Sequence, residues 1–241
     1  MKHEINKTAD LTTAELASLH KGWDAYEDGD YATALKELEP LAQKGNPIAQ
    51  NYLGLLSASG DVVPYDLAKA VEWYQKAAAQ GHAIALCNLG RMYEFGRGVL
   101  EDKDKALECF QKSAALGYSD AQFILAGRYE EGDGVLKDLV KAVEWYQKAA
   151  AQGDDRAQNN LGLMYEDGDG VPKDSAKAVE WYQKAAVQGF AMAQFNLGVM
   201  FEDGNGAPKD LAKAVEWYQK AAAQGYADAQ SRLSVLSIQL G

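Results

Sequence analysis

Few residues in the chain could carry catalysis. Ser18 and Lys21 form a Ser-x-x-Lys pair, the spacing at which a lysine assists a serine nucleophile in β-lactamases and penicillin-binding proteins. The Ser-Asp-Asn and Lys-Thr-Gly motifs that complete such a site do not occur. The three histidines, His3, His20 and His82, lie in different contexts, and no Gly-x-Ser-x-Gly, His-Glu-x-x-His or phosphate-loop motif is present. We therefore predict no catalytic residue and expect a protein that is not an enzyme.

Acidic residues lie next to Gly-x-Gly turns, a combination that could bind calcium. In the loop that begins at Asp167, Val171 falls where an EF-hand needs its third oxygen ligand, and no glutamate closes the loop at position 12. We therefore predict a solvated acidic rim, with no metal site and no cofactor. The acidic residues concerned are Glu94, Glu130-Glu131, Glu166-Asp167 and Glu202-Asp203.

The two cysteines, Cys87 and Cys109, do not form a Cys-x-x-Cys motif. Isolated thiols are typical of reduced, cytosolic proteins, although a bond between the two is left open. The polar start of the chain has no apolar stretch of the kind found in secretory signals. We expect a cytoplasmic protein, or a periplasmic one if a signal was removed.

Composition narrows the class of partner. The net charge of −11 argues against nucleic acid, because phosphates need a basic surface. It indicates either general solubility or a partner with a basic patch. No run of about 18 apolar residues exists, so we predict no membrane span.

A repeat of 36 residues sets the positions of all these side chains. The string Lys-Ala-Val-Glu-Trp-Tyr-Gln-Lys-Ala-Ala begins at Lys69, Lys141, Lys177 and Lys213, and a degenerate copy begins at Lys105. An aspartate precedes each copy by three residues and a glycine follows it, which are helix start and stop signals. Each unit also contains an earlier amphipathic segment, and in four units a Gly-x-Gly loop joins the two segments. We predict a stack of helix hairpins.

The earlier segment of each unit carries what we call the marker alanine: Ala49, Ala85, Ala121, Ala157, Ala193 and Ala229. Leucine follows it by four residues, glycine or alanine by five in all units but the last, and in most units tyrosine or phenylalanine by eight, all on one helical face. The small residue is expected to let the second helix approach closely.

The repeated tryptophans, Trp73, Trp145, Trp181 and Trp217, could stack a ligand. Their place in the framework favours packing between hairpins. Cys109 stands where a fifth tryptophan would be, so the third hairpin is expected to be a weak point in the stack. Arg128 replaces an apolar residue and is expected to extend from the core edge, to pair with Glu130 or Glu131, or to pair with a partner.

These motifs resemble the Sel-one-like repeat family, which is related to tetratricopeptide repeats. The resemblance rests on Ala-x-x-x-Leu-Gly-x-Met-Tyr, Gly-x-Gly-Val-x-x-Asp and Lys-Ala-Val-Glu-Trp-Tyr-x-Lys-Ala-Ala-x-x-Gly. It implies an all-α, right-handed α/α superhelical solenoid. We expect an N-terminal tail over 1–12, a tetratricopeptide-like hairpin over 13–46, five repeats over 47–226 and a capping helix over 227–241.

The resemblance implies a protein that holds another protein or peptide along a concave face. Positions 2, 3, 6 and 10 residues after the marker alanines vary between units, and several hold apolar residues. Drift at exposed positions is the alternative explanation, but unused apolar residues in water are costly. The predicted protein-binding residues are Asn51, Tyr52, Leu55, Cys87, Asn88, Arg91, Phe95, Phe123, Ile124, Asn159, Asn160, Leu163, Phe195, Asn196 and Val199.

We therefore predict a non-catalytic, monomeric adaptor that binds a protein segment. The alternative is a stoichiometric inhibitor, such as an immunity protein that neutralises a secreted bacterial toxin. The two share a scaffold and differ in their partner.

Overall fold

The computed structural model describes residues 11–240, which form thirteen α-helices and no strand. Residues 1–10, most of the predicted tail and the site of His3, lie outside the described residues. The helices are α1 (Thr13–Glu27), α2 (Tyr31–Gln43), α3 (Pro47–Ser59), α4 (Leu67–Ala79), α5 (Ala83–Glu94), α6 (Lys103–Ala115), α7 (Ser119–Glu131), α8 (Leu139–Ala151), α9 (Asp155–Asp167), α10 (Ser175–Val187), α11 (Ala191–Asp203), α12 (Leu211–Ala223) and α13 (Ala227–Leu240).

The chain divides into two compact units, Met1–Tyr118 and Ser119–Gly241. The first unit holds the hairpins α1–α2, α3–α4 and α5–α6, and each hairpin packs on the next. The second holds α7–α8, α9–α10 and α11–α12, followed by α13, which packs on α12. The predicted all-α solenoid class, in which helix hairpins stack on one another, is confirmed.

Start and stop signals act as the sequence predicts. Asp66 caps α4 by accepting a hydrogen bond of 2.9 Å from the backbone N–H of Lys69, and the equivalent aspartates cap α6, α8, α10 and α12. Gly81, which follows α4, has a φ of 77°, and the next N–H, that of His82, bonds back to the carbonyl of Ala77. This closure satisfies carbonyls at the helix end and turns the chain into the next hairpin.

Each of the five 36-residue hairpins closes on a buried aromatic ring. The marker alanines are fully buried, and so are the rings of Tyr146, Tyr182 and Tyr218 in the second helices. A methyl group placed at Gly198 would lie 2.6 Å from Cε1 of Tyr218, and one at Gly90 would lie 2.8 Å from Cε1 of Phe110. The small residue therefore makes room for the ring of the partner helix, as the sequence predicts.

Three of the four repeated tryptophans pack against the hydrophobic cluster that precedes them, as predicted. Trp73 lies against the cluster built from α1, α2 and α3, and Trp181 and Trp217 lie against the clusters that precede them in the second unit. All are half-buried, whereas the neighbouring tyrosines are fully buried. A lysine three residues later covers the outer face of each ring, for example Lys184 Nζ at 3.6 Å from the Trp181 centroid.

Candidate functional site

The Ser18–Lys21 pair does not form a nucleophile and base. Lys21 Nζ donates to Glu37 Oε1 at 2.7 Å, and this bond, together with one from the Ser18 side chain, lowers the pKa of Glu37. Both side chains therefore converge on a carboxylate of α2.

The prediction of a solvated acidic rim is wrong for three of the acidic residues. Glu130, Glu166 and Glu202 each accept a hydrogen bond from the hydroxyl of a buried tyrosine sixteen residues later, at 2.7, 2.7 and 2.6 Å. Burial of the phenol, followed by the bond to the carboxylate, raises the pKa of each tyrosine well above its ordinary range. These glutamates belong to the hairpin framework, because a buried hydroxyl needs an acceptor. The second members of the pairs, such as Asp167, remain exposed.

Two further expectations are settled by local contacts. Arg128 is buried and its Nη1 pairs with Asp133 Oδ2 at 3.1 Å, an acidic residue of the loop after α7 that the sequence reasoning did not name. Cys87 and Cys109 are buried thiols that are not joined by a disulfide. Within residues 11–240, no three His, Cys, Asp or Glu side chains are grouped so that they could hold a metal ion.

In the first unit, the predicted binding residues divide into buried and exposed sets. Asn51, Tyr52 and Cys87 are buried, so the expectation that they lie away from the packed face is wrong. The side-chain amide of Asn51 accepts a hydrogen bond of 3.0 Å from Asn88 Nδ2 and so links α3 to α5. Tyr52 packs edge-on against Tyr26, with ring centroids 4.9 Å apart.

Leu55 and Asn88 are half-buried, whereas Arg91 and Phe95 are exposed. Phe95 is 61% exposed, and the Arg97 guanidinium lies 5.4 Å from its ring centroid. The first unit thus presents these two side chains at its surface, where they are separated by one turn of α5.

In the second unit, the varying positions recur at the same offsets on α7, α9, α11 and α13. We call this surface the first-helix face. Its residues lie 2, 3 and 6 positions after the marker alanines: Phe123, Ile124, Gly127, Asn159, Asn160, Leu163, Phe195, Asn196, Val199, Ser231, Arg232 and Val235.

At the α7 end of this face, Phe123 is half-buried between two groups. Its ring packs on Tyr146 with a centroid distance of 5.7 Å, and the Arg156 guanidinium lies 4.4 Å from its centroid. Arg156 is held in place by Asp120 and Asp154, which are ion-paired with it. Ile124 is half-buried beside Phe123. The aromatic surface at this end is therefore already covered by a cation.

Asparagines form a cross-link in the middle of the first-helix face. Asn159 is buried, again contrary to expectation, and accepts a hydrogen bond of 3.1 Å from Asn196 Nδ2. Asn160 donates to the Tyr146 hydroxyl at 2.9 Å. The amides predicted to bond a peptide backbone thus bond side chains of other helices, and Leu163 beside them is 37% exposed.

At the α13 end, a recess of about 380 Å³ opens between α11 and α13. Phe195 forms its inner wall, resting on Tyr218 and Tyr226 at centroid distances of 5.5 and 5.3 Å. The outer wall comes from α13, where Val235 is 49% exposed. The recess is lined by Phe195, Asp228, Ser231, Arg232 and Val235.

Sequence reasoning missed the α13 side of this recess. Ser231, Arg232 and Val235 occupy the same 2, 3 and 6 offsets from Ala229 that define the predicted site in the other helices. Reading α13 as a cap alone concealed the signal. Arg232 also contacts Glu202 across the helices at 3.6 Å, which fixes one side of the recess.

No helix within residues 11–240 has both the length and the apolar character needed to cross a bilayer.

Comparisons with known proteins agree on one family. The model of the Sel1 repeat matches residues 47–82, 83–118, 119–154, 155–190 and 191–226. A solved protective antigen present in uropathogenic Escherichia coli strains, which displays an SLR fold, is 36% identical with a TM-score of 0.83. That match covers 97% of this chain and 51% of the other, so the chain spans about half the length of that relative. A Sel1 repeat protein from Oxalobacter formigenes is 34% identical with a TM-score of 0.81, over 90% of this chain and 86% of the other. No curated protein matches the chain.

Proposed function

The chain belongs to the Sel1 repeat family, whose members generally mediate protein–protein interactions, and we propose that it is a non-catalytic, monomeric adaptor. Its partner would be a protein or peptide segment bound along the first-helix face of the second unit. The buried thiols, which are not disulfide-bonded, support the reducing cytoplasm as its place of action.

The recess at Phe195 is the observation that carries this proposal. A half-buried aromatic side chain at its wall and the exposed Val235 opposite form an apolar slot on a helical surface. Apolar anchors that enter such slots supply most of the energy of typical interfaces. Leu163 extends the apolar surface toward the middle of the same face.

The exposed acidic residues near the face, together with the net charge, favour a basic segment. Asp167 and Asp203 are exposed at the ends of α9 and α11, and in the lining of the recess Asp228 is accompanied by Arg232. With a net charge of −11, the protein would attract a cationic partner from a distance. We therefore propose a ligand with an aliphatic or aromatic anchor flanked by Lys or Arg, whose association slows as salt is added.

The first-helix face is pre-organised for binding. The cross-links Asn159–Asn196 and Glu202–Arg232 hold α9, α11 and α13 in register before any partner arrives. Side chains that are already fixed lose little entropy on binding. The ordering cost therefore falls on the partner segment.

Affinity capture from a lysate, followed by mass spectrometry, tests the proposal. We expect the Phe123→Ala/Phe195→Ala double variant to lose a captured protein that the parent retains. Val187→Ser and Leu136→Ser are matched controls, because these apolar residues are 66% and 91% exposed outside the first-helix face. Unchanged capture by a folded double variant, judged by helical circular dichroism, would overturn the proposal.

A further inference from the structure

The third hairpin has a pocket where four other hairpins have an indole ring. Cys109 stands at the repeat position of Trp73, Trp145, Trp181 and Trp217. The pocket measures about 290 Å³ and lies between α4, α5 and α6 of the first unit. It is lined by Gln75, Ala78, Ala79, Leu86, Leu89, Tyr93, Lys105, Glu108, Cys109 and Lys112.

The floor of this pocket is apolar and its rim is polar. Leu86, Leu89 and Cys109 are 6%, 6% and 9% exposed, whereas Lys105 and Glu108 at the rim are exposed. An apolar cavity of about 150 Å³ is enough to bind benzene, so this pocket has room for an aromatic ring. Burial raises the pKa of the Cys109 thiol to about 11, so the group remains a neutral, apolar surface.

The sister hairpins show what fits there. Each of their indoles is covered by the lysine three residues later, with Nζ between 3.6 and 4.2 Å from the ring centroid. In the third hairpin that lysine is Lys112, which instead pairs with Glu108 at 2.6 Å on the surface. An incoming indole would find the leucine that the sister hairpins also have at the position of Leu89, a more apolar floor where Leu86 replaces their glutamine, and the same cation at the rim.

We propose that the Cys109 pocket receives a tryptophan side chain presented by a protein partner. This inference rests on the proposed adaptor function and adds a second contact point, in the first unit. A shallow pocket with an exposed rim suits a ring that stays attached to a chain, since small-molecule sites enclose most of their ligand. Contacts of that chain with the rim would supply the remaining affinity.

Methyl NMR of Leu86 and Leu89 tests the proposal without any partner. We expect N-acetyl-L-tryptophanamide to shift these signals saturably, with a dissociation constant on the order of 1 mM, and N-acetyl-L-leucinamide to bind at least about fivefold more weakly. Cys109→Trp fills the pocket from within and should weaken binding of the probe at least about tenfold. Absence of a saturable shift in the parent, or an equal shift in Cys109→Trp, would overturn the inference.

Two additional arms identify the occupant and guard against misfolding. A capped Gly-Gly-Trp-Gly-Gly peptide should bind at least as well as free indole. Binding of indole without binding of the peptide would contradict a side-chain occupant. Should Cys109→Trp not fold, the rim variant Lys112→Ala is expected to weaken probe binding about threefold, and no change would count against the pocket. Failure of the probe to bind the Cys109 pocket would not contradict binding at the first-helix face, because that face is tested by variants of the second unit.

Discussion

The hydroxyl of Tyr182 donates a hydrogen bond of 2.7 Å to Glu166, and the tyrosine ring is fully buried inside its hairpin. The same pair recurs as Tyr146–Glu130 and Tyr218–Glu202. The third hairpin has Phe110 at this position, with its ring also fully buried. The repeat therefore tolerates the ring without the hydroxyl, and the bond adds stability to a hairpin whose shape the ring sets.

Tyr182→Phe is expected to fold and to lower the free energy of unfolding by about 1–2 kcal/mol. The variant loses a charge-assisted hydrogen bond but keeps the ring, as Phe110 does naturally. Chemical denaturation at neutral pH measures the difference. Glu166→Ala leaves a buried hydroxyl without its acceptor and should cost at least as much. A neutral result for both variants would contradict the framework role of the pair.

Two glycine-to-alanine substitutions in the first helices of different hairpins should change stability in opposite directions. Gly198→Ala places a methyl group 2.6 Å from the Tyr218 ring and is expected to destabilise by about 1–3 kcal/mol. Gly127→Ala meets nothing nearer than the Tyr146 hydroxyl at 3.7 Å and should stabilise by about 0.5–1 kcal/mol through helix propensity. Thermal denaturation of both variants checks the pair. Equal effects would mean that the ring does not set the spacing.

Much of the fold follows from the sequence because helix signals are local. The aspartate caps, the glycine stops and the buried alanines all lie where the 36-residue period puts them. The roles of Glu166 and Asn159 could not be read in this way, because each depends on a side chain of another helix. In the sequence, a glutamate exposed at the surface looks the same as one that accepts a hydrogen bond from a buried tyrosine. The same is true of an exposed amide and an interhelical cross-link.

Restoring the missing indole tests the weak point that the sequence indicates. Cys109→Trp should fill the pocket between α4, α5 and α6 and raise the unfolding free energy by about 1–2 kcal/mol, or the melting temperature by about 2–4 °C. Cys109→Ser is a useful control because it changes the thiol without adding bulk. An unchanged or lower melting temperature for the tryptophan variant would show that the third hairpin is already well packed.

His82 should make stability depend on pH. Its Nδ1 caps α5 by accepting from the Ala85 N–H at 3.1 Å, and burial lowers its pKa from 6.5 to about 4. The unfolded chain therefore takes up a proton below pH 6.5 that the folded chain resists. The stabilisation is complete above pH 6.5 and is lost as the pH falls toward 4, by roughly 2 kcal/mol at pH 4.5.

His82→Asn isolates this effect, because Asn46 caps the preceding first helix in the same way and does not titrate. The difference in unfolding free energy between parent and variant should shrink or reverse in favour of the variant as the pH falls from 7 to 4.5. Parallel pH profiles for the two proteins would exclude His82 as the titrating group. The carboxylates of the protein contribute equally to both proteins and cancel in the comparison.

The affinity of the isolated partner for two charge variants tests the central claim most directly. Val235→Arg adds a cation to the wall of the Phe195 recess, whereas Val187→Arg adds the same cation at an exposed site outside the first-helix face. By isothermal titration calorimetry, we expect the first change to weaken binding at least about tenfold and the second to change it less than about twofold. Equal dissociation constants for both folded variants would contradict binding at this face.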